Sequence, residues 1–225
     1  MKEIDIHYFT MMAKLGYVNE PFLEIGSQKV QEAEVPNLCE VSKTLGLKNV
    51  VGVDMAYGEG VDITFDFSIP NDQFNAAWKN DLFNTVAIFN VLEHTYDPIT
   101  VLKNALVCVK PGGTLIALAP TIWSIHGYPK DYVRLLPDWF EEFGKRNDLT
   151  IMGDTFLFLS VFGMQDVNMM RSKSDIVFPS YINSGKEQSL FRYWTSRFIH
   201  KLFNTYGRNH NFTHCSIGCT FSKQE

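Results

Sequence analysis

Phe83-Asn84-Thr85-Val86-Ala87-Ile88-Phe89-Asn90-Val91-Leu92-Glu93-His94, followed by Asp97-Pro98 and then by Lys110-Pro111-Gly112-Gly113-Thr114-Leu115, is the stretch that decides how this chain folds. The apolar run Thr85–Phe89 reads as a buried strand, and Asn90, Glu93 and His94 form a polar ledge where it stops. Asp97 can cap the helix that follows, and Pro98 suits its first turn, where a missing N–H costs nothing. Val101, Leu102, Ala105, Leu106 and Val109 fall on one face of that helix. Pro111-Gly112-Gly113 then turns the chain into a second buried strand, Leu115–Ala119. Strand, helix and strand make a βαβ unit, and open sheets of such units bind ligands at the carboxyl ends of their strands. Asn90, Glu93 and His94 stand at that edge.

Working outward, the same rhythm continues on both sides. Residues 3–16 mix Ile4, Ile6, Phe9, Met12 and Leu15 with charges and end at Gly16, which predicts a short amphipathic helix covering the sheet. Phe22–Ile25 reads as a first strand ending in a turn at Gly26, and Pro36 opens a helix that runs to Gly46. Val50–Asp54 is a second strand closed by a carboxylate, and the alternating Val61–Asp66 is a third at the sheet edge. A helix over Asp72–Lys79 precedes the central strand. Beyond the βαβ unit we expect a long loop over residues 120–136, a helix from Pro137 to about Arg146 and a sixth strand over Leu149–Ser160. Residues 163–187 are polar and irregular and are assigned no element. Gln188–Tyr206 reads as a helix with Phe191, Trp194, Phe198 and Leu202 on one face, and Phe212–Phe221 as a last strand. Alternating strands and helices predict an α/β fold with a mainly parallel sheet.

Composition sets the outer bounds. With 225 residues, 45% of them apolar, the chain can bury one substantial core, so a single domain over 1–225 is expected. It divides into an N-terminal helical cover (1–19), a cofactor-binding half (20–120) and a substrate-side half (121–225). A net charge of −5 argues against a nucleic-acid partner. Cys39, Cys108, Cys215 and Cys219 lack the spacing of a disulfide framework, and no signal peptide or membrane-spanning run is visible, so a cytoplasmic location is expected.

The strand ends carry the binding chemistry. A glycine turn at Gly26 lets backbone approach a ligand closely. Asp54 ends the second strand, where a carboxylate can accept both hydroxyls of a ribose. It follows Gly26 by 28 positions, longer than the usual spacing of about 20, and the extra length falls in Lys29–Pro36. Asp66 and Phe67, after the third strand, offer an acceptor and an apolar face to a base. The chain lacks the G-x-G-x-x-G of dinucleotide binders and the G-x-x-x-x-G-K of phosphate loops.

Phe22-Leu23-Glu24-Ile25-Gly26-Ser27-Gln28, Val53-Asp54-Met55, Asp66, Val91-Leu92-Glu93-His94 and Lys110-Pro111-Gly112-Gly113 occur in the order of the motifs of class I S-adenosylmethionine-dependent methyltransferases. The chain resembles that family over roughly residues 20–120, and its bacterial small-molecule and glycan-pathway members more loosely over His126–Arg134. The resemblance implies a Rossmann-like methyltransferase fold: a seven-stranded mixed sheet, last strand antiparallel, with helices on both faces. It implies S-adenosyl-L-methionine as cofactor, held by Glu24, Gly26, Ser27, Asp54 and Met55 on one side and by Asp66, Phe67, Asn90 and Val91 on the other. Of the family's glycines at the first loop only Gly26 is present.

Methyl transfer to a hydroxyl needs a positioned nucleophile, a dry site and a base. His126 is the first candidate base and His94 the second, because imidazole titrates near neutrality and both fall at the functional edge. Asp131 and Arg134 either orient a substrate or pair with each other. Asn90-x-x-Glu93-His94 also resembles the Glu-x-x-Glu-His metal site of some methyltransferases, with His126 as a further ligand. Asn90 replaces the first carboxylate there and is a weak ligand for a hard cation, so no metal is expected. Cys215 and Cys219 share one strand face with Ile217 and Phe221, which argues for packing and against zinc. The expected partner is a small-molecule acceptor such as a sugar or glycan precursor, read from Trp123, His126, Tyr128 and Tyr132 beside Asp131 and Arg134. Arg192, Arg197, His200 and Lys201, on the polar face of the Gln188–Tyr206 helix, leave contact with a membrane or lipid-linked substrate open. A nicotinamide-dependent reductase and a non-catalytic module of the same fold are the alternative readings.

Overall fold

The computed structural model describes residues 1–29, 35–78, 83–127, 130–160, 163–167 and 215–224. The expected helix over Gln188–Tyr206 and residues 212–214 of the last strand lie outside them, as do Tyr128 and Pro129.

In chain order the elements are α1 (Glu3–Lys14), β1 (Phe22–Ile25), α2 (Leu38–Thr44), β2 (Val50–Asp54), β3 (Ile63–Thr64), α3 (Asn71–Ala77), β4 (Phe83–Phe89), α4 (Pro98–Cys108), β5 (Val109–Ile122), α5 (Pro137–Arg146), β6 (Leu149–Ile151), β7 (Leu157–Ser160), β8 (Gly163–Asp166) and β9 (Cys215–Lys223). They form one sheet of order β3-β2-β1-β4-β5-β9-β7-β8, with β6 pairing β9 beside β7. Strands β1 to β5 run parallel, and β9 is antiparallel to β5 from Thr114↔Ser222 to Ile122↔Cys215. The strand order reverses between β1 and β4, so the crevice between their carboxyl ends is the ligand position of a doubly wound sheet.

Alternation along the central strands builds a layer on each face. Val86 and Ile88 of β4, with Leu115 and Ala117 of β5, pack under Phe74 of α3, Val101 and Leu102 of α4 and Phe140 of α5. Ala87, Phe89, Ile116 and Leu118 pack on the other face under Tyr8, Phe9 and Met12 of α1 and Leu38 of α2. Strand β9 obeys the same rule, with Ile217, Cys219 and Phe221 in the first layer. On its opposite face Gly218 approaches Tyr8 so closely that a Cβ there would lie 2.5 Å from the ring.

Several boundaries differ from expectation, each for a local reason. Helix α2 begins at Leu38 rather than Pro36, because the Asn37 side chain caps it by accepting from Glu40 N–H. Strand β3 has shrunk to Ile63–Thr64, and Asp62 instead uses its carboxylate to accept from Gly52 N–H at 2.8 Å. The turn Lys110–Gly113 is a bulge inside β5, and β5 runs on to Ile122, so the expected loop starts at Trp123. The predicted sixth strand is split into β6 and β7 by a short turn at Gly153–Thr155. There Thr155 Oγ1 accepts from Thr220 N–H at 3.0 Å, and the Thr155 carbonyl accepts from Tyr8 Oη at 2.9 Å. That split and the edge strand β8, for which the short Gly163-Met164-Gln165-Asp166 offers no pattern, raise the count from seven strands to nine among the described residues. Asp97 and Pro98 start α4 as expected, with Asp97 Oδ1 accepting from Ile99 and Thr100 N–H. Among the described residues no helix is long and apolar enough to cross a membrane.

Candidate active site

The crevice is built where β1, β2 and β4 end. Gly26 has φ 84°, in the left-handed region that glycine enters without cost. A Cβ on Gly26 would come within 2.2 Å of Val91 Cγ2, so the loop after β1 packs its bare backbone against the Val91 side chain after β4. Gly26 and Ser27 both donate N–H to Val53 O, which binds the loop to β2. One glycine suffices for this geometry. Ser27 is fully buried, and its Oγ has no hydrogen-bond partner among the described residues.

Asp54 stands half-buried at the end of β2, its carboxylate fixed by N–H donors from Gln28 at 3.1 Å and Ala56 at 3.2 Å. Each oxygen accepts one bond and retains a lone pair for a ligand hydroxyl. Met55 beside it is 60% exposed, an apolar surface at the crevice rim.

Three expected cofactor contacts are corrected or narrowed. Glu24 is 1% exposed, and both its oxygens accept from the first amides of α2, Leu38 N–H at 3.0 Å and Cys39 N–H at 2.8 Å. It anchors that helix below the ledge instead of facing a ligand, and burial pushes its carboxyl up to about 7 against the pull of those amides. Phe67 does not offer a face to a base: it is buried among Phe65, Phe74 and Trp78. Asp66 Oδ1 closes a local turn onto Ser68 N–H and Oγ.

Asn90 adopts φ 55°, donates its N–H to Leu118 O and sends Nδ2 to Asp5 Oδ2 at 3.0 Å. Nothing in the sequence pointed to Asp5 here; its local partner is the Lys2 N–H at the start of α1, from which it accepts at 2.7 Å.

Beyond Asn90 a turn of 3₁₀ helix, Leu92–His94, turns two side chains toward the loop after β5. Glu93 is 1% exposed with no hydrogen-bond partner for either oxygen among the described residues, and burial pushes it up to about 7. His94 Nδ1 lies 2.6 Å from Lys130 O; a carbonyl only accepts, so Nδ1 carries the proton and Nε2 the lone pair. That Nε2 lies 3.7 Å from Glu93 Oε1, and burial lowers the His94 pKa.

His126 packs edge-on to His94, ring centres 4.9 Å apart. Its Nδ1 has two acceptors nearby, Asp131 Oδ2 at 3.4 Å and Ser124 O at 3.3 Å, which leaves Nε2 as the basic nitrogen. Asp131 also accepts from His126 N–H at 2.9 Å and pairs with Arg134 through both oxygens. The Arg134 guanidinium holds the Asp131 carboxyl down to about 2. Asp131 and Arg134 therefore pair with each other, and the pair orients His126.

The ligating atoms of Glu93, His94 and His126 all lie within 4.8 Å of one another. The expectation of no metal rested on Asn90. Asn90 takes no part, being turned to Asp5, yet a buried unpartnered carboxylate beside two imidazoles is a donor set suited to a divalent cation.

No known protein-family profile matches the chain. It is 25% identical over 163 residues to the ubiquinone biosynthesis O-methyltransferase of Xanthomonas campestris pv. campestris (strain B100), covering 69% of this chain and 62% of that protein. The chain thus spans less than two thirds of that relative's length. Among solved structures it resembles a SAM-dependent methyltransferase from Archaeoglobus fulgidus, with TM-score 0.53, 15% identity and coverage of 98% of this chain and 95% of the other. It also resembles the N-methyltransferase NodS from Bradyrhizobium japonicum WM9, in complex with S-adenosyl-L-homocysteine, with TM-score 0.52, 11% identity and coverage of 100% and 89%. At these identities the likeness establishes the fold, that of the Rossmann-like methyltransferases.

Proposed function

We propose that this chain is an S-adenosylmethionine-dependent methyltransferase acting on a hydroxyl of a small polar acceptor, a sugar or glycan precursor. The observation that carries the reading is the crevice itself. At the sheet's switch point, the Gly26 backbone lies against the Val91 side chain beside a carboxylate fixed at the end of β2, and the loop after β5 carries an imidazole oriented by Asp131. The residues fit the cofactor: Gly26, bare of a side chain, gives its sulfonium end close backbone approach, Asp54 suits its ribose hydroxyls, and Met55 suits an apolar edge of its base. Bound there, S-adenosylmethionine supplies an electrophilic methyl group on a good leaving sulfide.

The chain's own residues would supply the rest. His126, oriented by Asp131, takes the acceptor hydroxyl proton at Nε2. His94 is the less suited base, because burial disfavours its charged form. The curated O-methyltransferase relative supports oxygen as the acceptor atom. Trp123 beside His126 supplies a flat surface for a polar ring, and Tyr132, whose N–H donates to Glu93 O, adds another edge-on to Tyr96.

Calorimetric titration with S-adenosylmethionine, its demethylated product and NAD tests the cofactor. A turnover screen of nucleotide sugars, phenols and amines tests the reaction. Binding of NAD in place of S-adenosylhomocysteine would replace this reading by the reductase. Cofactor binding without turnover on any acceptor would favour a non-catalytic module.

A further inference from the structure

The first turn of α1 brings a cation to the rim of the crevice. Lys2 N–H donates to Asp5 Oδ2 at 2.7 Å, and the same oxygen accepts from Asn90 Nδ2 at 3.0 Å. The helix start is thereby tied to the ledge that ends β4. From this anchor the half-buried Lys2 side chain reaches the exit of β5, placing Nζ 4.1 Å from the centre of the Trp123 ring. That indole lies 6.3 Å from the His126 ring, so ammonium and candidate base flank one aromatic residue.

Two carboxylates close by are already engaged. Asp131 is held by Arg134 and His126 N–H, and Asp5 by Lys2 N–H and Asn90. Lys2 Nζ itself makes no ion pair among the described residues. The exposed Lys130, whose carbonyl holds His94, adds a second lysine on the same rim. An indole face attracts an ammonium through its quadrupole without cancelling its charge, so the cation stays able to pair with an anion. The chain as a whole carries −5, so this attraction is local to the rim.

We infer that the acceptor carries an anionic group, a carboxylate or a phosphate, which Lys2 grips beside Trp123 while the acceptor hydroxyl faces His126. This deepens, and rests on, the reading of the crevice as a methyl-transfer site. Lys2 is here a specificity-determining residue for the acceptor, and Asp5 the positioning residue that fixes it.

The test is calorimetric titration with glucuronate, glucose 1-phosphate and glucose, each with and without saturating S-adenosylhomocysteine. One or both charged sugars should bind at least about tenfold more tightly than glucose, the scale of one charge-assisted contact. Which of the two does so identifies carboxylate or phosphate. Lys2→Met should remove the advantage and leave glucose binding unchanged, and Lys2→Arg should retain it. Equal binding of charged and neutral sugars, binding of none, or an equal loss for all three in Lys2→Met would overturn the inference. Failure of S-adenosylhomocysteine to bind would instead overturn the methyl-transfer reading, and the arm without it still reports on Lys2.

Discussion

Gly26 and Val91 touch backbone to side chain across the crevice, with room for no atom between: a Cβ on Gly26 would sit 2.2 Å from Val91 Cγ2. Gly26→Ala therefore meets both a clash and a left-handed backbone. It should destabilise the protein by about 1–3 kcal/mol and abolish measurable binding of S-adenosylhomocysteine. Adding Val91→Ala removes the clash and leaves the backbone strain, so the double variant should recover part of the stability in denaturant unfolding. A Gly26→Ala protein with unchanged stability and binding would show that the loops part easily.

Asp54 is held by two backbone N–H groups and has lone pairs left for a ligand. Asp54→Ala should weaken S-adenosylhomocysteine binding by roughly 1–3 kcal/mol with little effect on the thermal midpoint, because the side chain is half-exposed. Isothermal titration of both proteins measures this, and equal affinities would remove Asp54 from the site.

Glu24 links the fold to pH. Burial raises its carboxyl from 4.5 to about 7, so the folded protein retains a proton that the unfolded chain has released between these values. Its contribution to stability is complete below about pH 4.5 and falls as pH rises through about 7, a loss of the order of 3 kcal/mol. Glu93 shifts in the same direction for the same reason and steepens the trend. Urea unfolding from about pH 4.5 to pH 8 should show stability falling, with a shallower slope in Glu24→Gln. A slope unchanged by that substitution would mean that the carboxyl is ionised in the folded state.

His126 is oriented by Asp131, and Asp131 by Arg134. On a confirmed acceptor, His126→Ala should lower kcat by roughly 10²–10⁴ while S-adenosylhomocysteine binds as before. Asp131→Asn should lower kcat less and change the pH profile, because it alters the imidazole's orienting partner without removing the base. Full turnover in His126→Ala would move the role to His94.

The βαβ frame was legible because its signals are local. Asp97 as cap and Pro98 in the first turn mark the start of α4, and the continuous apolar runs of β4 and β5 announce strands buried on both faces. Strand β8 was not legible, since Gly163–Asp166, a four-residue edge segment with one apolar side chain, gains its structure from pairing with β7 and not from any pattern of its own. The split of the sixth strand was hidden likewise: it depends on Thr155 meeting Thr220 and Tyr8, partners distant in sequence.

Within the site, the sequence by itself determined which residue types reach the carboxyl edge: Gly26, Asp54, Asn90, Glu93 and His94 follow strands whose ends periodicity locates. Only the tertiary structure decided what each does there. It turned Glu24 toward α2, buried Phe67 among other rings and gave Asn90 to Asp5. It also brought His126 to His94 and Lys2 to Trp123 across the sheet. Strand ends are fixed by a periodicity that each segment carries alone, whereas a side chain's partner depends on which distant segment packs beside it.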